Sequence, residues 1–258
     1  MKIVVLVKEV PDTYGDRKLD LETGLADRAA GDAVLDEIGE RALEVALTYA
    51  DAHAGTEVVA VTMAPESAVT TVRKALAMGA TSAVHVVGDA LRGADMSLTA
   101  EVLAAAVRRV GADLVVTGNL STDGTGGMLP AMLAEHLGMP QLTALSSVEI
   151  AETSVSGTRA SDAGAVSVSA PLPAVISITE ALPDARFPNF KGIMAAKKKP
   201  YETVAVADLG VDPEDFSIPR SILVTVAERP ARAAGVKIVD KGDAGTQLAE
   251  FLISNRLA

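Results

Sequence analysis

Short β-branched runs alternate with helix-length amphipathic stretches along most of this chain, and that order limits its fold more than any other feature. The runs are Lys2–Lys8, Glu57–Met63, Ala83–Val87, Leu114–Thr117 and Ala174–Thr179. A strand that is followed by a helix before the next strand begins has travelled back along the sheet, so successive strands pair in parallel and the helices cover the sheet. The intervening helices read clearly. Asp36–His53 repeats apolar residues at Ile38, Ala42, Leu43, Val45, Ala46 and Tyr49, while Glu66–Met78 and Ser97–Val110 do the same and stop at Gly79 and Gly111.

Between Ser146 and Ala170 the pattern changes to alternation broken by Gly and Asp, which predicts an antiparallel hairpin appended to the sheet. From about Ala181 prolines at 183, 188, 200, 213, 219 and 230 punctuate a stretch with little periodicity until Gln247–Arg256. Its interspersed Ile, Leu and Val are too apolar for a simple disordered tail, so it reads as an arm that lays those residues on a partner.

Composition narrows the function. A chain of 258 residues that is 49% apolar buries a sizeable core without disulfides or metal. Zero cysteines remove thiol chemistry and thiolate metal sites, and the expected compartment is the reducing cytoplasm. A strand at the N-terminus in place of a leader, and no apolar run near the roughly 20 residues that span a bilayer, give the expectation of a chain neither exported nor membrane-embedded. A net charge of −11 repels phosphate backbones, and 3% aromatics leave few stacking platforms, so nucleic acid is not the expected partner.

The candidate chemistry lies in Ser121-Thr122-Asp123-Gly124-Thr125-Gly126-Gly127-Met128, between the strand ending at Thr117 and a helix through Pro130–Leu137. In open parallel sheets ligands sit beyond the carboxyl ends of the strands, where a helix N-terminus offers free N–H groups to an anion. The stretch is neither Gly-x-Gly-x-x-Gly, because its sixth position is Leu129, nor a P-loop, because no Gly-Lys-Ser/Thr follows. On these residues alone it is either a plain turn or an anion cradle. Asp36-Glu37-Ile38-Gly39 reads first as a capped helix start. Lys197-Lys198-Lys199 is either a solvated run or a contact for phosphate or an acidic partner. His53, His85 and His136 are scattered without metal-ligand spacing, and no Gly-x-Ser-x-Gly elbow occurs, so no catalytic residue and no metal site is predicted.

Several segments taken together resemble the β subunit of electron transfer flavoprotein. They are Val5–Asp12, Arg73–Ala80, the glycine stretch, Leu172–Ile176, Phe187–Lys199 and Arg232–Lys237, in the same order over almost the whole chain. The resemblance implies a Rossmann-like nucleotide-binding domain over 1–185 including the hairpin at about 146–170, a recognition loop at 186–200, and a C-terminal arm at 201–258 packed on an α subunit. In that family the α subunit holds the redox-active FAD and the β subunit carries a structural AMP without making or breaking bonds. Electrons arrive from acyl-CoA and related dehydrogenases, as in fatty acid β-oxidation, and leave to a membrane quinone oxidoreductase.

Carried over by position, the AMP contacts implied are Leu6, Asp36, Glu37, Ile38, Gly39 and Met63, with Asp123, Gly124, Thr125, Gly126, Gly127, Met128 and Ala131 around the phosphate. Glycine there lets backbone amides approach the anion, which would let an acidic protein hold a phosphate without an arginine cluster. The partner-binding residues implied are Phe187, Phe190, Ile193 and Met194, with Phe190 as the anchor; the other reading places Phe187 and Phe190 over the protein's own core. Thr13 stands where many relatives have a flavin-contacting tyrosine, so flavin contact from this loop is not expected. Two alternatives stay open: a branch binding a second FAD in place of AMP and bifurcating electrons, and, from another class, a stand-alone ATP-binding regulator resembling universal stress proteins.

Overall fold

A computed structural model describes every residue except Asp16, Ala29, Ala233, Val236 and Ala258. Ala233 and Val236 of the terminal family match therefore lie outside the described residues. The chain divides into a unit of Met1–Val224 and one of Thr225–Ala258.

In the first unit, β1 (Lys2–Leu6) is followed by the short β2 (Glu9–Pro11) and β3 (Ala33–Leu35), which pair with each other in antiparallel fashion. Then come α1 (Glu37–Ala52), β4 (Glu57–Met63), α2 (Val69–Met78), β5 (Ser82–Val87), α3 (Met96–Val110), β6 (Leu114–Gly118) and α4 (Leu129–Leu137). Three antiparallel strands follow, β7 (Gln141–Ile150), β8 (Ser154–Ser161) and β9 (Gly164–Pro171), then β10 (Ala174–Ile178), α5 (Phe190–Ala196) and β11 (Tyr201–Ala205). Among the described residues nine strands form the main sheet in the order β11-β5-β4-β1-β6-β10-β7-β8-β9. All neighbours from β11 to β7 are parallel.

Successive residues of β1 point to opposite sides of the sheet, and each side has its own core. Ile3 and Val5 pack with Leu43, Ala46, Leu76 and Ile176 beneath α1 and α2. Val4 and Leu6 pack with Leu98, Val102, Leu103 and Leu133 beneath α3 and α4. The helix ends obey local rules. Asp95 caps α3 by accepting a 2.8 Å hydrogen bond from the Leu98 amide, and Gly138 closes α4 with φ 66°, a left-handed turn open to glycine without strain.

Two expectations change in detail. The appended hairpin is β8–β9 laid on β7, whose first residues pair in parallel with β10, so that region is continuous with the main sheet. Tyr201–Ala205, read from sequence as the start of the arm, is an edge strand beside β5, because its alternating pattern buries Val204 against the sheet. In the second unit, α6 (Ala244–Ser254) buries none of its residues and exposes Leu248, Phe251 and Ile253.

Candidate nucleotide site at the carboxyl ends of the first and sixth strands

The chain runs outward from β1 to β4 and β5, then crosses back to place β6 on the other side of β1. Their carboxyl ends therefore part at a topological switch point, where open α/β sheets leave a crevice for ligands. Val7 and Lys8 leave β1 on one wall, the Gly118–Met128 segment leaves β6 on the other, and the start of α1 closes the base.

Asp36 is the N-cap residue of α1 by position, yet its carboxylate crosses to the opposite wall. Oδ2 accepts a 3.0 Å hydrogen bond from the Thr122 amide, while Oδ1 is buried without a partner. The side chain is only 1% exposed, and burial pushes its pKa up. Next to it Ile38 touches Gly118 so closely that a Cβ at 118 would stand 2.6 Å from Ile38 Cγ2. Gly39 is buried beneath the backbone of Val7 and Lys8, Glu37 is exposed, and Met63, half-buried, ends β4. Leu6 points into the core beneath α3 and α4.

The glycine loop is organised by its own hydroxyl and acid. Ser121 accepts from the Thr125 amide at its carbonyl, 3.0 Å, and from the Gly124 amide at its hydroxyl, 3.2 Å. Thr125 (φ 48°) and Gly127 (φ 69°) adopt left-handed backbone. Gly126 faces Met96, whose Sδ would stand 2.6 Å from an added Cβ. Beyond that point, among the described residues, no hydrogen bond is received from the amides of Gly126, Gly127 and Met128, which are exposed at the start of α4. Ala131 is half-buried in the first turn of that helix.

Sequence reasoning missed the cations. Lys8 Nζ lies 2.6 Å from Asp123 Oδ1 and 3.3 Å from Ser121 Oγ. Arg28 Nη2 lies 3.4 Å from Asp123 Oδ2, and Arg17 donates to the Thr122 carbonyl. Burial pushes the Asp123 pKa up, but the Lys8 hydrogen bond and charge outweigh it and hold the carboxyl below its usual range. Lys8 reaches this loop from the end of β1, and Arg17 and Arg28 reach it from the excursion between β2 and β3, so basic side chains stand beside the backbone amides. No local signal marked them in sequence, since Arg17, Lys18 and Arg28 are spread among Asp12, Asp16, Asp20, Glu22, Asp27 and Asp32.

The remaining predicted residues lie elsewhere. Phe187 is 92% exposed and Phe190 79%, with Ile193 and Met194 about half so, which rules out the alternative that the phenylalanines cover this unit's own core. A cavity of about 620 Å³ lies at the amino ends of the strands, lined by Met1, His53, Asp113 and Pro173 among others. It has no glycine cradle, and parallel sheets present their ligand crevices at the other end. Among the described residues no cluster of His, Asp or Glu fits a metal ion, and no helix is long and apolar enough to cross a membrane.

Comparison with known proteins shows the family. A family model described as the electron transfer flavoprotein domain matches residues 23–209. The electron transfer flavoprotein subunit beta of Mycobacterium tuberculosis is 44% identical, over 99% of this chain and 98% of its own. That of Syntrophomonas wolfei is 34% identical, over 98% and 96%. The caffeyl-CoA reductase-Etf complex subunit CarD of Acetobacterium woodii is 34% identical, over 83% and 82%.

Proposed function

This chain belongs to the electron transfer flavoprotein β-subunit family, and from that premise we propose that it binds AMP at the β1–β6 crevice and pairs with an α subunit that holds the redox-active FAD. The observation that carries the nucleotide reading is the set of three uncommitted amides at Gly126, Gly127 and Met128 beside Lys8 and Arg28. Backbone N–H groups at a helix start and two nearby cations suit a phosphate monoester, and the unpartnered, buried Oδ1 of Asp36 suits a hydroxyl or amino donor of the nucleoside. The residues present therefore fit an adenylate. Asp123 shares Lys8 and Arg28 with the incoming anion and fixes Lys8 at the loop.

The FAD of the partner supplies the redox chemistry. This chain's residues bind, orient and exclude water. The exposed apolar helix α6 of the second unit would be covered by the α subunit, and the exposed Phe187, Phe190, Ile193 and Met194 would enter an apolar socket on an electron donor. The donor we propose is an acyl-CoA dehydrogenase or a related enzyme acting on CoA esters, and the acceptor a membrane quinone oxidoreductase. The Acetobacterium woodii relative, named as part of a complex with a CoA-ester reductase, supports that class of partner.

A second reading has a second FAD in place of AMP in a complex that bifurcates electrons. Lys8 and Arg28 carry enough charge for a diphosphate as well as a monophosphate. Family membership sets aside the stand-alone stress-type regulator.

Co-expression with the α chain tests the proposal. It predicts a yellow heterodimer whose flavin is reduced by an acyl-CoA dehydrogenase and its substrate, and a colourless β chain when expressed alone. A stable β homodimer that never recruits the flavin-bearing chain would contradict it.

A further inference from the structure

We infer that Gly192 and Lys199 are positioning residues that seat α5 on the carboxyl end of α2, so that Phe187 and Phe190 stand in a fixed pose before any partner arrives. The inference rests on the proposed role of 187–199 in docking a CoA-ester oxidoreductase.

Helix α2 ends with carbonyls that have no intrahelical partner, as every helix does. Lys199 reaches back and donates to two carbonyls there, Leu76 O at 2.9 Å and Ala80 O at 2.6 Å. A cation at a helix carboxyl end also meets the negative end of its dipole. Of the three consecutive lysines, Lys197 and Lys198 are exposed, whereas Lys199 is half-buried and committed to this contact.

Gly192 makes the seating close. A Cβ there would lie 2.4 Å from the Ala77 carbonyl oxygen, a backbone atom that cannot rotate away. The residue interior to this short helix is glycine because α5 presses directly on the α2 main chain. Asn189 starts the helix by accepting a 2.8 Å hydrogen bond from the Gly192 amide.

Further contacts hold both ends. Arg73 of α2 donates to the Ala196 carbonyl at 3.0 Å, with its guanidinium 4.9 Å from the Tyr201 ring centroid. Tyr201 is held by buried His85: Nε2–H donates to the Ala64 carbonyl at 3.0 Å, leaving Nδ1 to accept from the Tyr201 hydroxyl at 2.8 Å. Ahead of the phenylalanines, Arg186 grips Glu44 with Nε and Nη2, each at 2.8 Å, and Asp51 at 2.9 Å, both on α1. Segment 187–196 is therefore pinned to α1 before it and to α2 within and after it, while its apolar side chains face outward. A docking element already ordered loses less entropy on binding, which suits a carrier that must bind and leave quickly.

The test uses the α/β heterodimer with four variants: Lys199→Met, Gly192→Ala, Lys199→Arg and Phe190→Ala. Hydrogen exchange over 190–196 and the steady-state KM and kcat for the carrier with an acyl-CoA dehydrogenase are measured. Lys199→Met and Gly192→Ala are expected to speed exchange and raise KM about tenfold at unchanged kcat and flavin content, with Lys199→Arg near wild type. Unchanged exchange, or faster exchange with unchanged KM, overturns the inference. If Gly192→Ala does not fold, Lys199→Met decides. Phe190→Ala separates the two levels: an unchanged KM there means the docking reading itself fails, whereas a raised KM there with normal Lys199→Met kinetics removes only the positioning role.

Discussion

The Lys8 ammonium lies 2.6 Å from the Asp123 carboxylate, joining the end of the first strand to the glycine loop 115 residues away in sequence. Because the Asp123 pKa is held below the usual range, the pair stabilises the fold in full above the unfolded carboxyl value of about 4 and loses that contribution as pH falls through the lower folded value. Lys8 is 42% exposed, so screening limits the effect. Asp123→Asn is expected to cost about 1 kcal/mol at neutral pH and clearly less at about pH 3, below the unfolded carboxyl value. Urea unfolding at the two pH values checks it; equal differences at both would contradict the assignment.

Asp36 predicts the opposite sign. Its pKa is raised by burial, so the contribution is most favourable below the unfolded value and is lost as pH rises through the folded one. Asn at 36 keeps an acceptor for the Thr122 amide and removes the buried charge. Asp36→Asn should raise the stability of the nucleotide-free chain by about 1 kcal/mol at neutral pH, with no gain in acid, while weakening adenylate binding. Thermal unfolding across pH, with and without AMP, measures both effects.

Gly118 sits where the sixth strand opens into the crevice, and an added Cβ would meet the half-buried Ile38 side chain rather than backbone. Both γ carbons and the Cβ of Ile38 stand within 3.1 Å of that position, and a β-branched residue on a helix has little rotamer freedom, so Gly118→Ala should cost about 1–3 kcal/mol of stability and lower AMP affinity as well. Calorimetric titration of stripped heterodimer provides the comparison.

At Gly157 the obstruction is main chain. A Cβ would stand 2.2 Å from the Ser147 carbonyl oxygen on β7. Gly157→Ala should therefore separate β8 from β7 and cost about 1–3 kcal/mol, seen as a lower urea midpoint with faster exchange confined to β8 and β9.

The parallel sheet was legible because its strands are buried on both faces and read as short apolar runs, as in Val4, Val5 and Leu6. The glycine loop was legible from its position between such a run and Pro130. What sequence could not place was side-chain reach across long separations. Asp36 looked like a helix cap because capping is local, whereas its carboxylate bonds to Thr122 across 86 positions. Lys8 read only as part of a family match, and Arg28 had no local pattern; Lys8 reaches the loop from the end of β1 and Arg28 from the excursion between β2 and β3. Tyr201–Ala205 was hidden because a five-residue edge strand between prolines and a short helix resembles loop.

Nucleotide content decides the account most directly. The purified α/β complex is denatured, and the small molecules released are identified and counted by chromatography and mass spectrometry. One FAD and one AMP per heterodimer is the predicted result. Two FAD and no AMP would contradict the adenylate assignment of the β1–β6 crevice and establish the second reading.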